Sequence, residues 1–141
     1  MCACGDGSYT LLGMEHRFDT RVRWADLDPY WHVNHATYLS YCEAARIRLL
    51  DDIGWSMQAL EARDLRIVVV EVTARWLRPA LVDMDLVVVT RVGEMGRVRS
   101  TWHQQIVAGD AVLFEVDVQA VFTDATGKPR RIPEGFADAV R

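Results

Sequence analysis

The chain has 141 residues, enough for one domain with a substantial hydrophobic core. Half of the residues (50%) are hydrophobic and 26% are charged, which is typical of a folded globular protein and excludes a disordered chain. The formal net charge of -4 disfavours a general nucleic-acid-binding protein, which needs excess positive charge. No apolar run approaches the roughly 18 residues of a membrane span. No basic residue precedes the short apolar step near the N-terminus, so we expect no signal peptide and a cytoplasmic protein.

The start of the chain predicts an extension followed by a strand. Residues 1–13 are rich in glycine and show no periodicity, so we expect a flexible N-terminal extension. The folded domain is predicted to span 14–134, with a C-terminal tail at 135–141. From His16, apolar and charged residues alternate, which predicts a half-buried strand. Its inner face would carry Phe18, Thr20, Val22 and Trp24.

Two helices are predicted next, the first over residues 35–52. Asn34 is its predicted N-cap, because the side-chain oxygen of Asn can accept a free N–H at a helix start. Gly54 supplies the C-terminal stop. A short second helix is predicted over 57–62, with Ser56 as its cap. The apolar stripe of the long helix consists of Tyr38, Cys42, Ala45 and Leu49.

The remainder of the chain alternates with a period of two and predicts four antiparallel strands. These segments are 66–78, 84–92, 97–108 and 111–123. Glycines at 93–96 and 109–110 predict the hairpin turns between them, and 124–141 is turn-rich. The sequence thus predicts an α+β fold, in which a five-stranded antiparallel sheet wraps around one long central helix.

One helix covers only one face of such a sheet. The opposite face is predicted to carry Ile67, Val69, Leu77, Val87 and Val89, so it is not uniformly polar. Exposed apolar patches usually bind a partner, and we therefore expect an obligate homo-oligomer.

Two carboxylates, Asp26 and Asp28, immediately precede the predicted long helix. Such closely spaced acids are most often turn and cap residues. The alternative is chemical: free N–H groups at a helix start can stabilise an oxyanion. A carboxylate facing them could attack an acyl carbon or activate water to do so. The spacing alone allows both interpretations.

Other chemistries have less support. Cys2 and Cys4 with His32 and His35 fit no common zinc spacing, and no Gly-x-Ser-x-Gly motif supplies a serine nucleophile. The two histidines are interpreted as hydrogen-bonding residues at the helix start. We expect no metal and no cofactor.

Residues 23–46 read RWADLDPYWHVNHATYLSYCEAAR. This segment resembles the signature of the 4-hydroxybenzoyl-CoA thioesterase family of hotdog-fold enzymes. It is most similar to the acyl-CoA thioesterase branch, which reads Asp-x-x-x-His-Val-Asn-Asn-x-x-Tyr-Leu followed by a Glu and an Ala-Arg. Residues 78–83 and 127–133 also resemble that branch, so the resemblance covers about 14–134.

The resemblance implies a thioesterase with Asp28 as its catalytic carboxylate, acting as nucleophile or general base. It also implies that the backbone N–H of His35 contacts the thioester oxygen. Asn34, Trp31 and Tyr38 are the other expected substrate-binding residues. Many relatives have Gly at position 31 and Asn at position 35, and the bulk of Trp31 bears on acyl preference.

The resemblance further implies an active site at the interface of a homodimer or homotetramer. The expected substrate is an acyl-CoA, with neither nucleic acid nor membrane as a partner. Two alternatives share the same pocket. One is a non-hydrolytic acyl-CoA or acyl-carrier binding protein; the other is a thioesterase acting on an acyl-carrier-protein substrate.

Overall fold

A five-stranded antiparallel sheet curls around one long helix in the structure, a computed structural model that describes residues 15–141. The strands are β1 (Glu15–Arg21), β2 (Arg66–Trp76), β3 (Asp85–Met95), β4 (Arg99–Ala108) and β5 (Ala111–Thr123). The helices are α1 (Thr37–Asp52), α2 (Met57–Ala62) and α3 (Glu134–Ala139). The sheet order is β1-β3-β4-β5-β2, which leaves β1 and β2 as edges. The predicted α+β architecture is confirmed, while the predicted extension at 1–13 lies outside the described residues.

The core lies between α1 and the concave face of the sheet. The predicted stripe of Tyr38, Cys42, Ala45 and Leu49 is buried there. Alternate residues of β5 meet it from Phe114 to Phe122, as period-two alternation requires. The two periodicities that predicted these elements therefore also placed the core correctly.

β1 ends at Arg21, so the prediction that Trp24 belongs to this strand is wrong. Trp24 to Asp26 forms a single 3-10 turn, and the Trp24 side chain is 64% exposed. Two hydrogen bonds between Asp26 and Arg23 stabilise this turn. The Asp26 N–H donates to the Arg23 carbonyl at 3.0 Å, and the Asp26 Oδ2 accepts from the Arg23 N–H at 3.0 Å.

The N-terminus of α1 also differs from its prediction. The helix begins at Thr37 rather than His35, and Asn34 is not its N-cap. Instead, Asn34 Oδ1 accepts from Ala36 N–H at 2.9 Å, and its carbonyl accepts from Thr37 N–H at 2.9 Å. Asn34 thus closes the turn that precedes the helix. The other end agrees with prediction, because Gly54 has a φ of 83° just after the helix.

Gly93 was predicted in a hairpin turn, but β3 continues to Met95. The turn lies at 96–98. Gly93 lies close to the neighbouring strand: a Cβ at this position would lie 2.7 Å from Nε2 of His103 on β4, so the His103 side chain would have to move. A glycine inside a strand marks such an approach as often as a turn, and the sequence does not separate the two.

The C-terminal segment predicted as a turn-rich tail ends in the helix α3. Its Phe136 is fully buried, with its ring centroid 5.6 Å from that of Trp55 and 5.0 Å from that of Phe122. Residues 134–139 therefore contribute to the core. No helix within residues 15–141 is long and apolar enough to cross a membrane.

A run of exposed apolar residues follows the edge strand β2 and continues to Leu77 just beyond it. Ile67 and Val69 pair in register with Phe122 and Ala120, which puts them on the concave side, and Val89 on the outer face is buried. The edge residues are each 42–51% exposed: Val68, Val69, Val70, Val72, Trp76 and Leu77. We define these six residues as the β2 apolar strip.

Candidate active site

Residues 26–35 form a loop between β1 and α1 that the backbone holds firmly. Asp28 N–H donates to the His32 carbonyl at 2.7 Å, which closes the loop on itself. Val33 N–H donates to the Ala80 carbonyl at 2.9 Å, and Asn34 N–H donates to the Asp26 carbonyl at 2.8 Å. The loop is thereby fixed to the segment that follows β2, and its two ends are bonded to each other.

Asp28 is half-buried in this loop and organises it. Its Oδ1 accepts hydrogen bonds from Tyr30 N–H at 2.8 Å and His32 N–H at 3.2 Å. Its Oδ2 has no hydrogen-bond partner in the described part of the chain. One carboxylate oxygen therefore holds the side chain in place, and the other is available for chemistry.

Trp31 adopts the left-handed backbone conformation, with a φ of 66°. This region is unfavourable for a bulky residue, whereas glycine adopts it readily. The Trp31 ring packs edge-to-face against Trp24 at a centroid distance of 5.2 Å. Its side chain is 61% exposed and stays near the surface of the loop.

The start of α1 presents a free donor. Asn34 satisfies the N–H groups of Ala36 and Thr37, but the N–H of His35 has no acceptor among residues 15–141. The His35 carbonyl accepts from the Trp76 indole Nε1 at 3.0 Å, which ties the end of β2 to this turn. The His35 N–H is thus held in position and unpaired.

Asp28 and His35 line a single cleft of about 300 Å³. The buried Tyr38 forms another part of its wall; the Tyr38 hydroxyl accepts from Ala80 N–H at 2.9 Å, and its ring stacks on Phe114. Of the five predicted site residues, the cleft brings together Asp28, His35 and Tyr38, whereas Asn34 and Trp31 are not among its lining residues.

Six further lining residues are not among the five predicted site residues, and three of them carry polar side-chain groups: His32, Trp76 and Arg78. His32 lies in the motif at residues 23–46, where its position near the helix start predicts a hydrogen-bonding residue. Trp76 and Arg78 follow Asp28 by almost fifty residues, and no local pattern connects them with it.

Comparison with known protein families identifies the superfamily of this chain. Residues 22–140 match the family described as the thioesterase-like superfamily. The chain belongs to this superfamily. The predicted hotdog fold and the predicted enzyme class, a thioesterase, are confirmed by this membership and by the relatives that follow.

Two curated relatives and one crystal structure illustrate the similarity. This thioesterase is 33% identical over 122 residues to "Acyl-CoA thioester hydrolase YbgC" of Escherichia coli, covering 85% of this chain and 91% of that protein. It is 29% identical over 126 residues to "Acyl-acyl carrier protein thioesterase ATL2, chloroplastic" of Arabidopsis thaliana, covering 88% and 67%. A probable thioesterase from Bartonella henselae superposes with a TM-score of 0.81 at 33% identity, covering 85% of this chain and 100% of that one.

Asp26, the other carboxylate of the motif, is a structural residue in this thioesterase. It is buried, and its Oδ2 accepts from the Tyr41 hydroxyl at 2.7 Å. Burial opposes ionisation, but the hydrogen bonds from Tyr41 and from the Arg23 N–H, with the Arg23 charge, hold the pKa of Asp26 below its usual range. The interpretation of Asp26 as a turn residue is consistent with these bonds.

We expect Tyr41→Phe to lower the free energy of unfolding by about 1.5–3 kcal/mol at pH 7, because it removes a buried hydrogen bond to a charged group. Folding lowers the pKa of Asp26, so the ionised carboxylate stabilises the folded protein fully above its unfolded-state pKa of about 3.9. This stabilisation is lost as the pH falls through the folded-state pKa of Asp26. Urea denaturation should therefore show that the unfolding free energy lost in Tyr41→Phe, relative to wild type, is smaller in acid than at pH 7. Tyr30→Phe, which alters an exposed hydroxyl, is the matched control. An equal effect of both variants would contradict the structural role of Tyr41.

Cys42 is unsuited to nucleophilic catalysis in this thioesterase. Burial raises the pKa of its thiol to about 12, although the nearby Arg46 opposes the shift. The thiol therefore stays protonated at neutral pH, and the thiolate that a cysteine nucleophile requires is scarcely populated.

Proposed function

We propose that the protein hydrolyses acyl-CoA thioesters to the free acid and coenzyme A, as a cytoplasmic member of the acyl-CoA thioesterase branch of the 4-hydroxybenzoyl-CoA thioesterase family. The observation that carries this proposal is the common cleft, in which the free Oδ2 of Asp28 and the unpaired N–H of His35 are held by separate hydrogen bonds. The name of the Escherichia coli relative supports the choice of acyl-CoA as substrate.

In the proposed reaction, the N–H of His35 donates to the thioester oxygen and stabilises the negative charge that develops there. Asp28 either removes a proton from the attacking water or attacks the acyl carbon itself, forming a mixed anhydride that water then hydrolyses. The coenzyme A thiolate is a good leaving group, so it needs little assistance from an acid. Trp31 and Asn34 act through the loop: Trp31 packs on Trp24, and Asn34 bonds the N–H groups of Ala36 and Thr37 and leaves the His35 N–H free.

An acyl-carrier-protein thioester is the second candidate substrate, because the Arabidopsis relative is named for that activity. The chemistry at the acyl carbon would be the same. An acidic carrier prefers a basic docking surface, and the net charge of -4 weighs against this alternative.

Thiol release from acetyl-, hexanoyl-, palmitoyl- and benzoyl-CoA tests the proposal directly. Turnover of any of them supports an acyl-CoA thioesterase, and the best substrate begins to define the acyl pocket. Release only from an acyl-carrier protein would favour the second candidate. Binding of acyl-CoA without release would identify a non-hydrolytic binding protein instead.

We further propose that the protein is a homodimer or a homotetramer, assembled along the β2 apolar strip. An edge strand offers unpaired backbone groups to a second copy, and the strip adds apolar surface to bury. Trp76 and Leu77 belong both to the strip and to the cleft wall, so a partner bound to the strip would adjoin the site.

We expect Val72→Glu to weaken this assembly by at least about 100-fold, because it would bury an unpaired carboxylate against the partner. Light scattering coupled to gel filtration over a concentration series measures the effect. Thr73→Glu is the matched control, since the neighbouring side chain points to the opposite face of the same strand. A Val72→Glu protein that assembles like wild type would refute this interface.

A further inference from the structure

Arg78 occupies a fixed position beside the candidate active site. Immediately after β2, Leu77 and Arg78 both donate their N–H groups to the Leu113 carbonyl, at 2.8 and 3.1 Å. Pro79 follows and restricts the backbone further. With the Trp76 indole bonded to His35, these contacts hold the residue in the wall of the cleft that contains Asp28.

The guanidinium of Arg78 is exposed and has no hydrogen bond or ion pair to any of residues 15–141. Three arginines of the sheet do have side-chain partners: Arg75 pairs with Glu115, Arg91 with Glu15, and Arg99 bonds to Gln119. Within the described chain, Arg78 is the one arginine or lysine that lines the cleft. A guanidinium without an internal partner is well suited to bind a phosphate or carboxylate.

Arg78 also borders the space next to the cleft. A second depression of about 600 Å³ adjoins it, and Leu77 and Arg78 line both. A cleft of about 300 Å³ is at the lower limit for small-molecule sites. A substrate as large as a coenzyme A thioester therefore extends beyond it.

We infer that Arg78 binds an anionic oxygen group of the thioester substrate and so positions the thioester carbon against Asp28. This inference rests on the proposed thioesterase function. Two parts of a substrate offer that chemistry: a phosphate of the coenzyme A portion, or a carboxylate carried by the acyl group. Arg78 is a positioning residue, so its loss raises KM and leaves kcat nearly unchanged.

The test compares Arg78→Ala with wild type on three thioesters of one acyl length: an acyl-CoA, the acyl-pantetheine that lacks phosphate, and an ω-carboxyacyl-CoA. Loss of a charge-assisted hydrogen bond is expected to raise KM by about 10- to 100-fold. If phosphate is the bound group, the increase occurs with both CoA thioesters and is absent with acyl-pantetheine. If a carboxylate is bound, the increase is confined to the ω-carboxyacyl substrate. Arg78→Lys should recover part of the loss, because it restores the charge without the planar fork.

Arg48→Ala is the control for net charge. Arg48 pairs with Asp52 on an exposed position of α1, eleven residues beyond the start of the helix and so about 16 Å along its axis. Equal KM values for Arg78→Ala and Arg48→Ala on all three substrates would overturn the inference.

Failure of the proposed function gives a different result. If wild type releases no thiol from any substrate, calorimetry with free coenzyme A, pantetheine and a dicarboxylic acid still tests the anion site. Weaker binding of coenzyme A or of the diacid by Arg78→Ala, with pantetheine unchanged, would support the site. Identical binding by both proteins would reject it.

Discussion

Replacement of Asp28 by Asn is expected to lower kcat for thiol release about 10²- to 10⁴-fold if Asp28 is a general base, and by more if it is the nucleophile. Asn keeps a side-chain oxygen that can accept the N–H groups of Tyr30 and His32, so the turn that Asp28 organises should persist. The substitution thus removes the charge and the basicity of the free oxygen and retains the loop. Steady-state thiol release from the best acyl-CoA substrate measures the effect.

Asp19→Asn is the matched control, because it neutralises an exposed carboxylate on β1, outside the cleft. Its kcat should stay close to wild type. Hydroxylamine distinguishes the two roles of Asp28 when the protein itself is analysed: attack on the Asp28 carbonyl of a mixed anhydride leaves a hydroxamate on that residue, whereas a general-base reaction leaves none. The direct reaction of hydroxylamine with the thioester is measured without enzyme and subtracted. If Asp28→Asn retained full activity with an unchanged melting temperature, the catalytic assignment would be wrong.

Phe136→Ala is expected to lower the free energy of unfolding by about 3–5 kcal/mol. The side chain is fully buried between Trp55 and Phe122, and the rigid edges of those rings cannot close the cavity that alanine would leave. Such a loss is a large fraction of the roughly 5–15 kcal/mol that stabilises a domain of this kind. Chemical denaturation monitored by tryptophan fluorescence measures it.

Asp138→Ala, on an exposed position of the same short helix, should change stability by no more than about 0.5 kcal/mol. A loss below about 1 kcal/mol for Phe136→Ala would mean that α3 is not part of the cooperative core. A large loss for both variants would point to the helix itself rather than to the buried ring.

The sequence predicted those elements whose causes are local. The bounds of β5 at 111–123 and of α2 at 57–62 are as predicted. The first follows from strict alternation, and the second from the Ser56 side chain, which accepts the Ala59 N–H at 3.1 Å. In both cases the deciding interactions lie within a few residues along the chain.

The errors arose where distant contacts decide the structure. Gly93 lies inside a strand, where the His103 side chain packs against it. Residues 134–139 form a helix whose Phe136 packs between Trp55 and Phe122. No periodicity signals either contact. Asn34 shows a subtler case: it does accept an N–H near the helix start, but two residues earlier than an N-cap would.

The candidate site divides in the same way. Asp28 and His35 lie seven residues apart, so a motif in the sequence suffices to associate them. Trp76 and Arg78 join them only because the end of β2 returns to the start of α1, where the Trp76 indole bonds to the His35 carbonyl. The part of the cleft wall formed by Trp76 and Arg78 therefore comes from tertiary structure.

The sequence by itself determined the class of fold, the core stripe and the likeness to a thioesterase motif, because periodicity and short-range spacing encode all three. The tertiary structure decided which face of the sheet each residue of β2 occupies. A bulge between Val69 and Glu71 shifts the register of β2, so Val72 and Trp76 share the concave face with Ile67. Since side chains alternate along a strand, one inserted residue reverses every face beyond it, and a pattern read without the bulge wrongly groups Ile67 and Val69 with Leu77 on one face.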